Sequence, residues 1–207
     1  MSKKRYKETG YIKYMLDDEL QMIQDWVDLN CTLKWKALFY TLMFSGLRVS
    51  EVCRLKRSSL VKGNMLRFQL SKGGRIHERA LHPTLSKVLA EYISLAGIGQ
   101  FDYLFPPDKN NAHRVQREFM DTQNVRHRFN KIRGELGLDD VYYERINGAK
   151  AHRISIHTFR NKFISRIYEA AGKDLIAAQR IIGHKRSETT EHYITPDVKE
   201  SEIIGKI

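Results

Sequence analysis

Apolar residues recur at helical spacing along most of this chain, and this periodicity limits its possible folds more than any other feature. The clearest case follows Thr32, where Trp35, Leu38 and Leu42 share one face until Gly46, a residue type that commonly ends helices. A similar pattern after Asp17-Asp18 predicts an earlier helix. The remaining predicted helices are Val49–Leu55, Pro83–Ala96, Thr158–Ala171, Asp174–Ile182 and Ser187–Tyr193. The segment Asn111–Leu136 is predicted to be largely helical.

Two short segments show strand character instead. Met65–Leu70 and Ile76–Leu81 flank Ser71–Arg75, whose Gly-Gly pair is typical of a hairpin turn. Asp139–Ile156 has no clear period and is predicted to be a loop that lies against an anionic partner. We therefore predict one compact, mainly α (α+β) domain that carries a small antiparallel β-sheet or hairpin.

The charge of the chain indicates the class of its partner. Lys and Arg number 36 against 24 Asp and Glu, which gives a net charge of +12 and favours a polyanion. Two cysteines cannot form a disulfide framework or a Cys-rich zinc site, and no histidine spacing indicates a metal. No apolar run reaches the ~18 residues of a membrane span, so we expect a cytoplasmic protein without membrane contact.

Candidate catalytic side chains lie directly beside the predicted helices and strands at four places. They are an arginine after the stop at Gly46, a lysine at the hairpin tip, a histidine and an arginine three residues apart, and a Gly-His pair followed nine residues later by tyrosine. The side chains are Arg48, Lys72, His157, Arg160, His184 and Tyr193.

These segments together resemble the catalytic domain of the tyrosine recombinases, the family of phage and archaeal-virus integrases and Xer-type resolvases. The matching motifs are G-L-R-x-S-E, K-G-x-x-x-x-x-R, H-x-x-R and G-H with its downstream tyrosine, in the family's order. The resemblance implies a catalytic domain over 17–196, between a basic arm over 1–16 and a tail over 197–207 that protomers exchange. The N-terminal core-binding domain of most members is expected to be absent.

The resemblance also implies a role for each matching residue. Tyr193 would attack the scissile DNA phosphate, forming a 3′-phosphotyrosine and freeing a 5′-hydroxyl. Arg48 and Arg160 would bind the non-bridging oxygens, and His184 would supplement them. Guanidinium groups suit this task because they bind phosphate oxygens with paired, directional hydrogen bonds.

Proton transfer falls to two further residues under the same resemblance. His157 would take the proton of the tyrosine, and Lys72 would protonate the departing 5′-oxygen. Glu51 would hold Arg48 or the histidine side in place. Lys62 is the competitor for the lysine role; Tyr142 and Tyr168 compete with Tyr193, but neither has a Gly-His pair nine residues upstream.

Double-stranded DNA is the expected partner, bound by a homotetramer that joins two sites without a cofactor, metal or ATP. The host would be prokaryotic or archaeal, and the gene that of a virus, plasmid or other mobile element. Basic residues expected along the DNA backbone are Arg75, Arg114, Arg117, Arg126, Arg128, Lys131, Arg145, Lys150 and Arg153. Two alternatives stay open: a type IB topoisomerase-like enzyme, and a DNA-binding relative without catalytic activity.

Overall fold

The computed structural model describes residues 13–69, 76–108, 118–144, 148 and 150–182. Within these ranges the chain forms mostly helices, together with five short strands and one 3-10 turn over Arg57–Ser59. The α-helices are α1 (Asp17–Asn30), α2 (Leu33–Ser45), α3 (Val49–Cys53), α4 (Pro83–Ala96), α5 (Thr122–Glu135), α6 (Thr158–Ala170) and α7 (Leu175–Ile182). The strands are β1 (Leu60–Val61), β2 (Met65–Gln69), β3 (Ile76–Ala80), β4 (Val141–Glu144) and β5 (Lys150–His152).

Helix α2 is the centre of the domain. It is buried on nearly every face, as expected for a helix that is apolar all round. Helices α1, α3, α4 and α6 pack against it. Phe129 of α5 links two parts of this core, since its ring lies 6.5 Å from Phe39 of α2 and 5.1 Å from Phe159 of α6.

The antiparallel sheet has the order β1-β2-β3. Leu66 of β2 pairs with Arg79 of β3, so both side chains share one face of the sheet. The predicted α+β class is confirmed, and β2 and β3 match the predicted strands; Leu70 and the turn 71–75 lie outside the described residues. Strand β1 was missed because its two residues cannot show alternation.

One sequence prediction is wrong in part. The segment Asp139–Ile156 is not simply a loop, because β4 and β5 pair within it. The two-residue alternation of a strand is not visible in this sequence, because the strands have only four and three residues. The register also shifts between Val141 and Tyr143. Within the segment Asn111–Leu136, which is predicted to be largely helical, α5 begins at Thr122, where the Asp121 side chain caps the first turn. Residues 109–117 and the predicted helix Ser187–Tyr193 lie outside the described residues.

Helices α6 and α7 position the candidate site. They pack against each other through a small apolar cluster of Ile164, Ala178 and Ile182. Helix α6 also contacts α2. This packing brings the first turn of α6 and the last turn of α7 near the end of α2.

Candidate active site

The first element of the site is the corner between α2 and α3. Helix α2 ends at Gly46, whose φ of 64° is left-handed and favours glycine. A Cβ atom at this position would also collide with the ring of Phe163. The chain therefore turns sharply here, and Arg48 becomes the N-cap residue of α3.

Glu51 holds Arg48 through both its backbone and its side chain. The Arg48 backbone N–H donates to Glu51 Oε2 over 2.8 Å, and Arg48 Nη1 donates to Glu51 Oε1 over 3.1 Å. Glu51 is buried, whereas the Arg48 side chain is 27% exposed. The carboxylate thus orients a guanidinium that still reaches the surface.

Arg160 joins the same corner from α6. It is buried, and its Nη1 donates a hydrogen bond to the carbonyl oxygen of Gly46. His157, the N-cap residue of α6, lies one turn before it. The structure therefore brings Arg48 together with His157 and Arg160, although Arg48 lies more than a hundred residues before them in sequence.

The electrostatics of His157 reflect this grouping. Its side chain reaches the surface, but the surrounding protein removes much of its hydration, which lowers its pKa to about 4. The positive charges of Arg160, Arg48 and Lys13 lower the pKa further. His157 is therefore neutral at physiological pH and able to accept a proton.

The described ends of β2 and β3, on either side of the segment that carries the lysine, lie beside the site. Gln69 and Ile76, which flank the connection between β2 and β3, line one groove with Ser50 and Glu51 of α3. Lys72 itself lies outside the described residues. Its competitor Lys62 is in the turn between β1 and β2, at the opposite end of β2.

His184 and Tyr193 also lie outside the described residues. The described chain ends at Ile182, whose carbonyl oxygen accepts a hydrogen bond from Arg79 Nη2 over 3.0 Å. Arg79 donates in addition to the carbonyl of Ser45, the last residue of α2. The last residue before the Gly-His pair is thus tied to the Arg48 corner.

Sequence reasoning assigned Arg79 no role of its own. Burial lowers its pKa to about 10, and the neighbouring charge of Arg160 acts in the same direction. A signal was present, because period-two alternation along β3 places residue 79 on the same face as His77, toward the core. A charged residue at an inward strand position is unusual and indicates a specific partner.

The basic residues expected along DNA fall into different environments. Arg126 and Lys150 are exposed, and Lys131 is 73% exposed while it forms an ion pair with Glu135. Arg128 instead lies over the ring of Trp35, 4.9 Å from its centroid. The expected residues that lie outside the described ranges are Arg75, Arg114, Arg117 and Arg145.

Arg153 is not on the surface where the sequence analysis expected it. Its guanidinium is buried, donates to both carboxylate oxygens of Glu19 and binds Asp140 over 2.8 Å. These hydrogen bonds, above all, hold the pKa of Glu19 below its usual range. Arg153 therefore ties α1 to the segment before α6 and is removed from the expected DNA-contact set.

The described residues hold neither a candidate metal site nor a membrane-spanning helix. No three His, Cys, Asp or Glu side chains within these ranges lie close enough together to hold a metal ion. Among the helices of the same ranges, none is both long enough and apolar enough to cross a membrane.

Comparison with known proteins identifies the family. The model of the phage integrase family matches residues 13–200. Because this match covers most of the chain, the protein belongs to the phage integrase family. The resemblance to tyrosine recombinases is thereby confirmed.

Individual relatives agree with this assignment. Tyrosine recombinase XerC of Rhodospirillum centenum is 28% identical over 169 residues, which cover 81% of this chain and 44% of that protein. XerC of Pelobacter propionicus is 31% identical over 166 residues, 79% of this chain and 48% of its own length. The chain thus spans about half the length of these curated relatives.

A solved structure supports the fold. The XerH site-specific recombinase, bound to a palindromic difH substrate in a post-cleavage complex, matches with a TM-score of 0.71 and 17% identity. The match covers 96% of this chain and 54% of that chain.

Proposed function

We propose that this chain is the catalytic domain of a site-specific DNA recombinase that cleaves and rejoins strands through a 3′-phosphotyrosine intermediate. The observation that carries the proposal is the grouping of Arg48 and Arg160 around neutral His157. Family membership and the XerC relatives support the same activity.

The two arginines suit a phosphodiester substrate. Negative charge builds on the phosphate as a fifth oxygen approaches, and fixed positive donors stabilise it best. Arg160 is attached to Gly46 and Arg48 to Glu51, so neither guanidinium has to be ordered when the substrate arrives. Removal of one such donor typically costs ~10²–10³ in rate.

A base beside the nucleophile is the next requirement. The tyrosine phenol has a reference pKa of ~10 and is almost entirely protonated at neutral pH. Because the pKa of His157 is about 4, its imidazole is neutral there, and the bound phosphate anion would raise that pKa toward the range of an effective base as Tyr193 attacks. A charged imidazole could not perform this step.

The remaining steps follow the family pattern. Lys72 donates a proton to the departing 5′-oxygen, and His184 adds a hydrogen bond to the phosphate. The new phosphotyrosine ester replaces the broken phosphodiester, so rejoining needs no ATP. Side chains alone supply the charge and the protons, and the mechanism needs no metal.

The proposed enzyme binds DNA through the phosphate backbone of the duplex. The net charge of +12 and the exposed Arg126, Lys131 and Lys150 provide sequence-independent contacts. We propose that four copies join two DNA sites in the cytoplasm and exchange the tail over 197–207. The single domain over 17–196 binds DNA weakly by itself.

The test is to trap the covalent intermediate. A pool of nicked duplexes with a randomised central segment is incubated with wild type and Tyr193→Phe, and adducts that resist denaturing detergent are isolated. Wild type should yield adducts with DNA joined at Tyr193, and Tyr193→Phe should yield none. Adduct formation by Tyr193→Phe, or none by wild type, would overturn the proposal.

A second assay separates recombination from topoisomerase activity. Supercoiled plasmid that carries one recovered site is compared with plasmid that carries two. Recombination requires two sites and produces resolved or inverted products. Relaxation of the one-site plasmid without any such product from the two-site plasmid would favour the topoisomerase alternative.

A further inference from the structure

We propose that Arg79 is a positioning residue, whose guanidinium fixes the end of α2 against the end of α7 and thereby sets the geometry of the Arg48–Arg160 pair. This inference rests on the proposed function. Arg79 would not touch the substrate; it would act through the corner that carries the phosphate-binding arginines.

The hydrogen bonds of Arg79 all lead to helix ends. Its guanidinium donates to the carbonyls of Ser45, Ile181 and Ile182, with Nε to Ile181 at 3.2 Å and Nη2 to Ile182 at 3.0 Å. The last carbonyls of a helix lack partners within the helix and form the negative end of its dipole. One cation thus satisfies and joins two helix ends that lie far apart in sequence.

Aromatic rings fix the plane of this guanidinium. The centroids of Phe68 and Phe163 each lie 5.2 Å from its central carbon. The Phe163 ring also fills the space in which a side chain at position 46 would lie. Lysine has neither the planar fork nor the stacking surface that this arrangement uses.

Neighbouring carbonyls connect Arg79 to the reaction centre. Ser45 accepts from Arg79, and the next residue, Gly46, accepts from Arg160. Arg48 follows two residues later. A shift of the Ser45 carbonyl would therefore move the acceptor of Arg160 and the backbone that carries Arg48.

The cost of this arrangement indicates that it serves more than packing. Arg79 is buried beside the like charge of Arg160; burial and that charge oppose its protonated state, and the negative charge of Glu51 offsets them only in part. Well-packed apolar side chains usually stabilise a core at least as well as buried ions do. A buried arginine next to a second arginine is understandable where the site must hold an anion.

The test compares Arg79→Lys and Arg79→Met with Arg67→Met, a control on the same hairpin whose side chain is exposed and paired with Glu78. Single-turnover adduct formation is measured on nicked duplexes recovered from the randomised pool. Misplacement of catalytic groups by about 1 Å costs ~10²-fold, so both Arg79 variants should slow cleavage about 10- to 100-fold. DNA affinity should stay within about twofold of wild type, and Arg67→Met should cleave at the wild-type rate.

A second substrate separates positioning from folding. It carries a methylphosphonate at the scissile position, which removes the charge that the arginine pair stabilises. The defect of the Arg79 variants should shrink on this substrate if it arises at the arginine pair. A folding defect would instead lower the amplitude of adduct formation equally on both substrates.

Several results would overturn the inference. They are wild-type rates for both Arg79 variants, equal defects on the two substrates, or failure of both variants to fold. If wild type itself forms no adduct, the proposed function fails and this inference fails with it. If wild type forms adducts and the Arg79 variants form them at the same rate, the inference fails and the proposed function stands.

Discussion

The carbonyl oxygen of Gly46 accepts a hydrogen bond from the guanidinium of Arg160, although 114 positions separate the two residues in sequence. Gly46 is also the residue at which α2 ends and the chain turns toward Arg48. One glycine therefore determines the position of both arginines.

Substitution of Gly46 should be much more harmful than substitution of a glycine with similar backbone geometry. Gly46→Ala introduces a left-handed alanine and a collision with Phe163, whereas Gly97→Ala, at φ 62°, meets nothing within 4 Å. The left-handed conformation alone costs about 1–2 kcal/mol. Urea unfolding should show about that loss for Gly97→Ala and a larger loss for Gly46→Ala. Equal losses would show that the contact with Phe163 has no effect.

Loss of the Glu51 charge should weaken both stability and cleavage. Glu51→Gln keeps the shape of the side chain but removes the anion that pairs with Arg48 at the buried end of their contact. We expect a loss of about 1–3 kcal/mol in urea unfolding and slower adduct formation. The control Glu78→Gln breaks an exposed ion pair with Arg67 and should change stability by less than about 1 kcal/mol. Unchanged cleavage by Glu51→Gln would argue against its role in holding Arg48.

The pH dependence of cleavage should reflect the low pKa of His157. Its pKa of about 4 lies below the ordinary value, so the imidazole becomes protonated, and unable to accept a proton, only as the pH falls toward 4. The acidic limb of cleavage measured at subsaturating DNA, which reports the free protein, should therefore lie well below pH 6. Side-chain NMR, with the signal assigned by its loss in His157→Gln, measures the same titration directly.

Removal of a nearby charge provides the control for this titration. Lys13→Gln deletes one of the cations that oppose protonation of His157, so the pKa should move upward. The acidic limb of the rate profile should move upward with it. An unchanged titration in Lys13→Gln, or a wild-type midpoint at an ordinary histidine value, would contradict the electrostatic account.

The role of Lys72 can be tested with a better leaving group. A substrate with sulfur in place of the bridging 5′-oxygen releases a thiolate, whose reference pKa of ~8.5 lets it depart without a proton donor. Lys72→Ala should lose ~10²–10⁴ in rate on the oxygen substrate and regain most of it on the sulfur substrate. Lys62→Ala, at the other end of β2, should cleave both substrates normally. The same defect of Lys72→Ala on both substrates would remove it from the acid role.

DNA affinity should depend steeply on salt and on exposed basic residues. Between ~50 and ~200 mM salt, each phosphate contact adds ~0.9 to the steepness with which the logarithm of the affinity falls against the logarithm of the salt concentration. Lys150→Gln should reduce the slope by about one such contact without a change in stability. Arg153→Gln should lower stability, because it leaves buried Glu19 without its main partner. A salt-independent affinity would argue against backbone binding.

Local signals account for the parts of the fold that were predicted well. Helix α4 runs over the predicted range Pro83–Ala96, because Pro83 and Gly97 mark its two ends chemically. Helix α2 ends at the predicted glycine for the same reason. Strands β4 and β5 were missed, since strands this short depend on their partner rather than on their own pattern.

By itself, the sequence determined the end of α2, both ends of α4, the basic charge and the side chains available for phosphate chemistry, because these properties depend on residue type and on neighbours a few positions away. Only the tertiary structure decided which arginines are buried and which reach the surface. Arg153 and Arg79 are buried by partners as far as 134 and 103 positions away, whereas Arg48 reaches the surface. The free energy of a guanidinium depends on the carbonyls, carboxylates and rings that surround it, and only the folded chain brings those groups together.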